Sequence, residues 1–182
     1  GATRIPNLQT GKADLIISTL AWTAERAKVV DYSVPYAPQI SLVGGVKGIN
    51  VKSMADLAGK SVAVNRSTTQ DSDLTQNAKG ANVVRYDDDA GVITAVVTGQ
   101  ADLVGTSNAL FQTMIQKAPN RQLEQKFVLR VNDLGIGVRK DEPKLLAWVN
   151  DWVKANHANG KLNEIFKKYH GAEIPKDVVE RW

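Results

Sequence analysis

Residues 61–116, SVAVNRSTTQDSDLTQNAKGANVVRYDDDAGVITAVVTGQADLVGTSNALFQTMIQ, decide the fold class. The apolar run Val62–Asn65 reads as a buried strand, and a helix pattern follows from about Thr69. A second strand reading, Val83–Tyr86, leads into a helix pattern over Ala90–Thr98. Leu103 and Val104 then make a third strand before a helix over Asn108–Gln116. Short apolar strands alternating with helices are the sequence signature of an α/β unit with a mostly parallel sheet.

The same alternation extends outward. Upstream, Ile5–Thr10 reads as a short helix closed by Gly11, and Leu15-Ile16-Ile17 as a buried strand. Thr23 is placed to cap a helix carrying Glu25, Arg26, Val29 and Val30, after which Pro35 and Pro38 force an extended path into a strand over Ile40–Val46. Ser53 with Asp56 starts a helical turn that Gly59 ends. Downstream, two further strands are expected at Phe127–Val131 and Ile136–Arg139. Two helices follow, Pro143–Ala155 with an apolar face of Leu145, Trp148, Val149 and Trp152, and Leu162–Tyr169. No repeat, low-complexity tract or Gly/Ser linker interrupts the chain, so two lobes, if present, are joined by strands.

The composition excludes several classes. At 182 residues and 43% hydrophobic, the chain holds one large core or two small ones. It has no run of about 18 apolar residues, the length a membrane-crossing helix needs. The net charge of +4 comes from Lys and Arg interspersed with acids, and only 6% of residues are aromatic, so a nucleic-acid surface is not indicated. The absence of cysteine rules out disulfides, Cys-ligated metals and thiol nucleophiles, while leaving the redox compartment open.

Catalytic and metal templates fail as well. His157 and His170 both lie near the C-terminus, far from any glycine-flanked serine, and no His/Cys/Asp cluster has ligand spacing, so neither metal nor cofactor is expected. Asp87-Asp88-Asp89 lacks the spaced oxygens of a calcium loop and precedes a helix, where acids favour the N-terminal dipole. Two stretches point to anion binding. Ser67-Thr68-Thr69-Gln70 joins a strand to a helix, so backbone N–H groups and hydroxyls converge at a positive helix end; plain N-capping accounts for the same residues equally well. In Ser18–Arg26 a strand ends in hydroxyl residues and an arginine follows. Arg26 is suited to a bidentate carboxylate contact, or to an ion pair with Glu25 or Asp31.

The stretches Ile5–Asp14, Thr23–Ser33, Pro35-Tyr36, Leu57–Lys60, Ser67–Gln70, Gly135–Lys140 and Asn159–Leu162 together resemble, in order, the family 3 solute-binding proteins of amino-acid ABC transporters. The resemblance implies the type II periplasmic-binding-protein fold, two α/β lobes with mostly parallel sheets joined by two hinge strands. Residues 1–47 with 131–182 would form lobe one, and residues 48–130 lobe two. It further implies an extracytoplasmic protein that closes on an amino acid or small carboxylate and presents it to an ABC permease. In the family, the positions of Arg26 and Thr19 hold the ligand α-carboxylate, and Thr69, with the neighbouring Thr68, completes that site from the other lobe. Ala21 would offer a backbone N–H.

Three departures from the family pattern stand out. An acid that commonly meets the ligand ammonium is here Ser107, a hydroxyl usual in the family is here Ala21, and the family's opening strand, helix and strand have no counterpart before Gly1. Without those strands, Leu15–Ser18 is expected to form an open apolar sheet edge, filled by a second copy in a homodimer or marking a truncated form. Two alternative functions follow. One is an oligomerising remnant without ligand. The other is an enzyme resembling cyclohexadienyl dehydratases, which would need a general acid that none of the matched residues supplies.

Overall fold

The computed structural model describes residues 2–170, 173–178 and 180. The chain divides into two compact α/β units, one comprising Ile40–Val131 and the other Thr3–Gln39 with Asn132–Trp182. The first junction falls before Ile40, earlier than the expected residue 47, for a reason of pairing. Strand β3 (Ala37–Val46) runs antiparallel to β6 (Leu103–Ser107), with Ser41 opposite Ser107 and Gly45 opposite Leu103, so most of β3 belongs to the sheet of the Ile40–Val131 unit.

In the Ile40–Val131 unit, β4 (Ser61–Asn65), β5 (Asn82–Tyr86) and β6 pair in parallel. With β3 and the long β7 (Leu123–Leu134) they form a five-stranded sheet of order β5-β4-β6-β3-β7. The period-2 alternation of β4 sorts its residues between two cores. Val62 and Val64 join Val43, Leu57, Leu74 and Leu103 on the side of α3 (Thr69–Asn77). Ala63 joins Leu42, Val104, Phe111 and Met114 on the side of α4 (Asp89–Val97) and α5 (Asn108–Lys117). Both faces are covered, which is why these strands read as continuous apolar runs.

In the other unit, β8 (Gly137–Arg139) lies between β1 (Leu15–Ile16) and β2 (Val30–Tyr32), antiparallel to both. Among the described residues, parallel pairing is thus confined to the five-stranded sheet. One core, Leu8, Ile16, Leu20 and Val30, includes α1 (Arg4–Gln9). The other sets Ile136 and Val138 against Val149 and Val153 of α6 (Pro143–Ala158), which α7 (Lys161–His170) follows.

Three elements differ from expectation. Val30 opens β2 instead of ending a helix, because α2 (Ala24–Ala27) is a single capped turn and β8 recruits the next residues by cross-strand pairing. The strand expected at Phe127–Val131 extends to twelve residues; β7 is an edge strand whose exposed charged positions hide the alternation. The stripe of α6 that meets β8 centres on Val149 and Val153, leaving Trp148 and Trp152 61% and 42% exposed instead of in the core.

Polar ties complete the Thr3–Gln39 segment. Tyr36 packs beside the Ile136–Val153 core and donates its hydroxyl to the Ser18 carbonyl at 2.5 Å. Burial pushes the Tyr36 phenol up to about 12, against a smaller opposing effect of the Arg4 charge. The folded state therefore holds this proton more tightly than the unfolded chain, whose tyrosines titrate near pH 10.

Two expectations follow. At Gly44 an added Cβ would lie 2.2 Å from the Phe111 ring, so Gly44→Ala is expected to destabilise the Ile40–Val131 unit by about 1–3 kcal/mol, read as a lower denaturation midpoint in urea. Because its folded pKa is raised, the Tyr36 contribution is fully present below about pH 10 and lost as pH rises toward 12. The stability of Tyr36→Phe is expected to fall less steeply than that of the parent over that range, as measured by denaturation at stepped alkaline pH.

Candidate functional site

The residues singled out in the sequence fall into two groups, one in each unit. In the Thr3–Gln39 segment the chain leaves β1 and runs through Ile17–Thr23 with little ladder pairing, apart from an isolated bridge between Ala21 and Leu134. Backbone carbonyls there need other donors. Ser18 O accepts from Tyr36 Oη and from the Leu20 N–H, the latter at 2.7 Å. Thr19 O accepts from Arg4 Nη1 at 2.9 Å. Ala21 O accepts from Arg26 Nη1 at 2.9 Å and from Tyr32 Oη at 3.4 Å.

Thr19 is exposed and Ala21 buried, so the two positions differ in what they offer: a hydroxyl at Thr19, backbone alone at Ala21. Thr23 caps α2, its Oγ1 accepting from the Arg26 N–H at 3.2 Å, which fixes where the Arg26 side chain starts. The guanidinium is partly buried, and burial holds its pKa below the usual arginine value, with Tyr32 acting in the opposite sense. The two acids nearest in sequence are engaged by lysines, Glu25 by Lys28 at 2.7 Å and Asp31 by Lys140 at 2.5 Å. The ion-pair reading of Arg26 with either acid is thereby replaced by a contact with the Ala21 carbonyl.

In the Ile40–Val131 unit, the turn between β4 and α3 is built by reciprocal capping. Thr68 Oγ1 accepts from the Asp71 N–H at 3.2 Å and donates to Asn65 O at 2.7 Å. Asp71 accepts from the Ser67 N–H at 3.1 Å and is itself held by Arg85 Nε at 2.8 Å. Ser67 adopts φ 62°, a left-handed conformation that costs a non-glycine residue about 1 kcal/mol, offset by these bonds. Thr69 and Gln70 occupy the first helical turn, where N–H groups have no intrahelical acceptor. Thr69 is buried, and Gln70 Nε2 donates to Ser41 Oγ at 2.7 Å. The N-capping reading holds: Thr68 takes the Asp71 N–H, and the Thr69 and Gln70 N–H groups precede it in the first turn of α3.

Ser107 caps α5, its Oγ accepting from the Leu110 N–H at 3.3 Å. The acidic run serves the fold: Asp88 caps α4 through the Gly91 N–H at 2.7 Å, Asp89 accepts from Asn65 Nδ2 at 2.6 Å, and Asp87 pairs with Arg66 at 3.1 Å. The histidines have structural contacts, His157 with Pro35 O at 3.0 Å and His170 stacked on Phe166. Among the described residues no group of three or more His, Cys, Asp or Glu is arranged to hold a metal ion. Arg4, Tyr32 and Tyr36 were not legible as site neighbours, because they reach the Ser18–Ala21 segment from separate elements and carry no local motif.

The sequence profile of the bacterial extracellular solute-binding proteins, family 3, matches residues 1–172. The glutamine-binding protein GlnH of an ABC transporter in Bacillus subtilis is 35% identical over 181 residues, covering 98% of this chain and 64% of that protein. The chain thus spans just under two thirds of that relative's length. A mutant of ArgBP from T. maritima superposes with a TM-score of 0.85 at 32% identity, over 93% of this chain and 74% of that one. An ancestral arginine-binding protein bound to glutamine gives a TM-score of 0.86 at 30% identity, over 94% and 77%. The order of α/β elements, their division into two units and these matches have one reading: the chain belongs to the bacterial extracellular solute-binding proteins, family 3, and has their type II periplasmic-binding-protein fold.

Proposed function

We propose that this protein is an extracytoplasmic binding protein that captures an amino acid or a related small carboxylate for an ABC importer, with a permease as its membrane partner and no cofactor. The observation that carries the reading is Arg26. Its guanidinium is partly buried and anchored on the Ala21 carbonyl, while the acids beside it in sequence are held by lysines. A partly buried planar cation with N–H donors in a fork suits a carboxylate. Thr69 at the start of α3, with Thr68 fixing the turn, offers backbone and hydroxyl donors of the same kind. Thr19 adds an exposed hydroxyl, Ala21 a backbone group, and Ser107 a neutral hydroxyl for the ligand's amino end. The relatives named above are binding proteins, which supports binding over catalysis.

Self-association through β1 is the second element of the proposal. Among the described residues Leu15–Ile16 pairs with β8 alone, and the following Ile17 is 62% exposed, so an apolar strand edge is available to a second copy.

Calorimetric titration with a panel of L-amino acids tests the binding reading. Arg26→Ala is expected to weaken binding by about 2–4 kcal/mol, on the order of 100-fold, and Thr69→Val by about 1 kcal/mol. Absence of heat with every amino acid, together with no effect of Arg26→Ala on any ligand, would sink it. Light scattering at micromolar concentration is expected to report a dimer that Ile17→Lys converts to monomer; a monomeric parent protein removes the edge-pairing element.

A further inference from the structure

Of the nine large apolar side chains left exposed among the described residues, four lie on two consecutive helices: Trp148 and Trp152 on α6, Ile165 and Tyr169 on α7. Single exposed apolar residues are ordinary on a protein surface, whereas a clustered set marks a contact. Each pair is spaced four residues apart, so its two side chains share a helix face. Val149 and Val153 hold α6 on the Ile136–Val138 core, and Leu162 packs α7 against that same core. With their inner faces committed in this way, the tryptophan and tyrosine faces are kept outward by the fold.

These outward faces are basic as well as aromatic. Residues 143–170 hold five lysines against Asp151 and Glu164, so most of the net charge of +4 resides there. Lys144 stands one turn before Trp148 and Lys154 follows Trp152, both exposed, and on α7 Lys168 lies over the Tyr169 ring at 5.4 Å. Glu164 is held by Lys161 at 3.1 Å, and Glu142, the acid nearest Lys144 in sequence, is held by Arg139 at 3.1 Å. Asp151 is the acid on the exposed face of α6. The composition separates two kinds of contact. Protein interfaces favour Trp and Tyr but are depleted in Lys. The headgroup region of a bilayer takes all three: aromatic rings put an apolar body at the acyl boundary and a polar edge among the headgroups, and lysine stems lie along the apolar layer with the ammonium in the anionic layer.

We propose that the outward faces of α6 and α7 form a membrane-contact surface for a lipid bilayer bearing anionic headgroups. Trp148, Trp152 and Tyr169 enter the headgroup layer, while Lys144, Lys154 and Lys168 supply the attraction to anionic lipid. The contact is superficial and reversible, because both helices stay packed on their core and, among the described residues, no helix is long and apolar enough to cross a membrane. An extracytoplasmic protein held this way stays close to the surface at which an importer works. The inference goes beyond the ligand-binding reading and does not depend on which ligand is bound.

Purified protein would be co-sedimented with vesicles of phosphatidylcholine alone and of phosphatidylcholine with phosphatidylglycerol in equal parts. Binding to the phosphatidylglycerol vesicles is expected to be about 10-fold or more stronger at low salt, to weaken as salt is raised, and to shift tryptophan emission to the blue. Combining Trp148→Ala with Trp152→Ala is expected to lower the partition coefficient about 10-fold, and combining Lys144→Glu with Lys154→Glu to lower it by about as much or more. Lys47→Glu with Lys79→Glu makes the same change of net charge at exposed positions of the Ile40–Val131 unit and is expected to leave partitioning within about 3-fold. Absence of binding to either vesicle overturns the inference, and so does an equal loss in the two lysine pairs, the mark of attraction by net charge alone. Self-association in light scattering that the tryptophan pair abolishes, without vesicle binding, overturns it in favour of a protein contact. Should the tryptophan pair fail to fold, the two lysine pairs and quenching of the parent protein's tryptophans by brominated lipid decide. Calorimetric titration of the α6 lysine pair with amino acids is expected to match the parent protein, so vesicle binding and ligand binding are lost or kept separately.

Discussion

The hydrogen-bond needs of one short stretch of backbone organise much of the Thr3–Gln39 segment. After β1 the chain pairs only through the isolated bridge of Ala21 with Leu134, so the carbonyls of Ser18, Thr19 and Ala21 draw on side-chain donors, and an unmet carbonyl where the backbone is buried would cost roughly 1–3 kcal/mol. Four side chains meet them, Tyr36, Arg4, Arg26 and Tyr32, drawn from α1, α2, β2 and the approach to β3. The arrangement fixes the loop and concentrates positive charge on it at the same time. Both guanidinium groups bond this backbone through Nη1, Arg4 at the Thr19 carbonyl and Arg26 at the Ala21 carbonyl.

The Ile40–Val131 unit reaches a similar end by a different route. Its parallel strands β4 and β6 finish where α3 and α5 begin, so helix N-termini gather at one end of the sheet. Capping residues decide what each terminus can still do. At α3 the Thr68 hydroxyl takes the Asp71 N–H while the Asp71 carboxylate takes the Ser67 N–H; at α5 the Ser107 hydroxyl oxygen is used by Leu110. Close packing beneath keeps these ends in place. Gly44 lets β3 lie against Phe111 and Gly105 lets β6 lie against Leu74, approaches that a Cβ would block.

Local periodicity and turn chemistry determined the α/β class, the capped starts of α2 and α3, the strands of the parallel core, and the structural role of Asp87–Asp89, because each depends on contacts within a few residues. The ordered motifs also carried the family. Arg26 and Thr69 could be singled out as candidates for anion binding, since a hydroxyl or arginine beside a strand end or helix start is visible in sequence. Tertiary structure alone decided the rest. β2 exists because β8 pairs with Val30–Tyr32, the first unit boundary lies before Ile40 because β3 joins β6, and Val149 and Val153 instead of the tryptophans face the sheet. Arg4 came to the Thr19 carbonyl across fifteen residues, a separation over which side-chain position is set by packing and not by any repeat in the sequence.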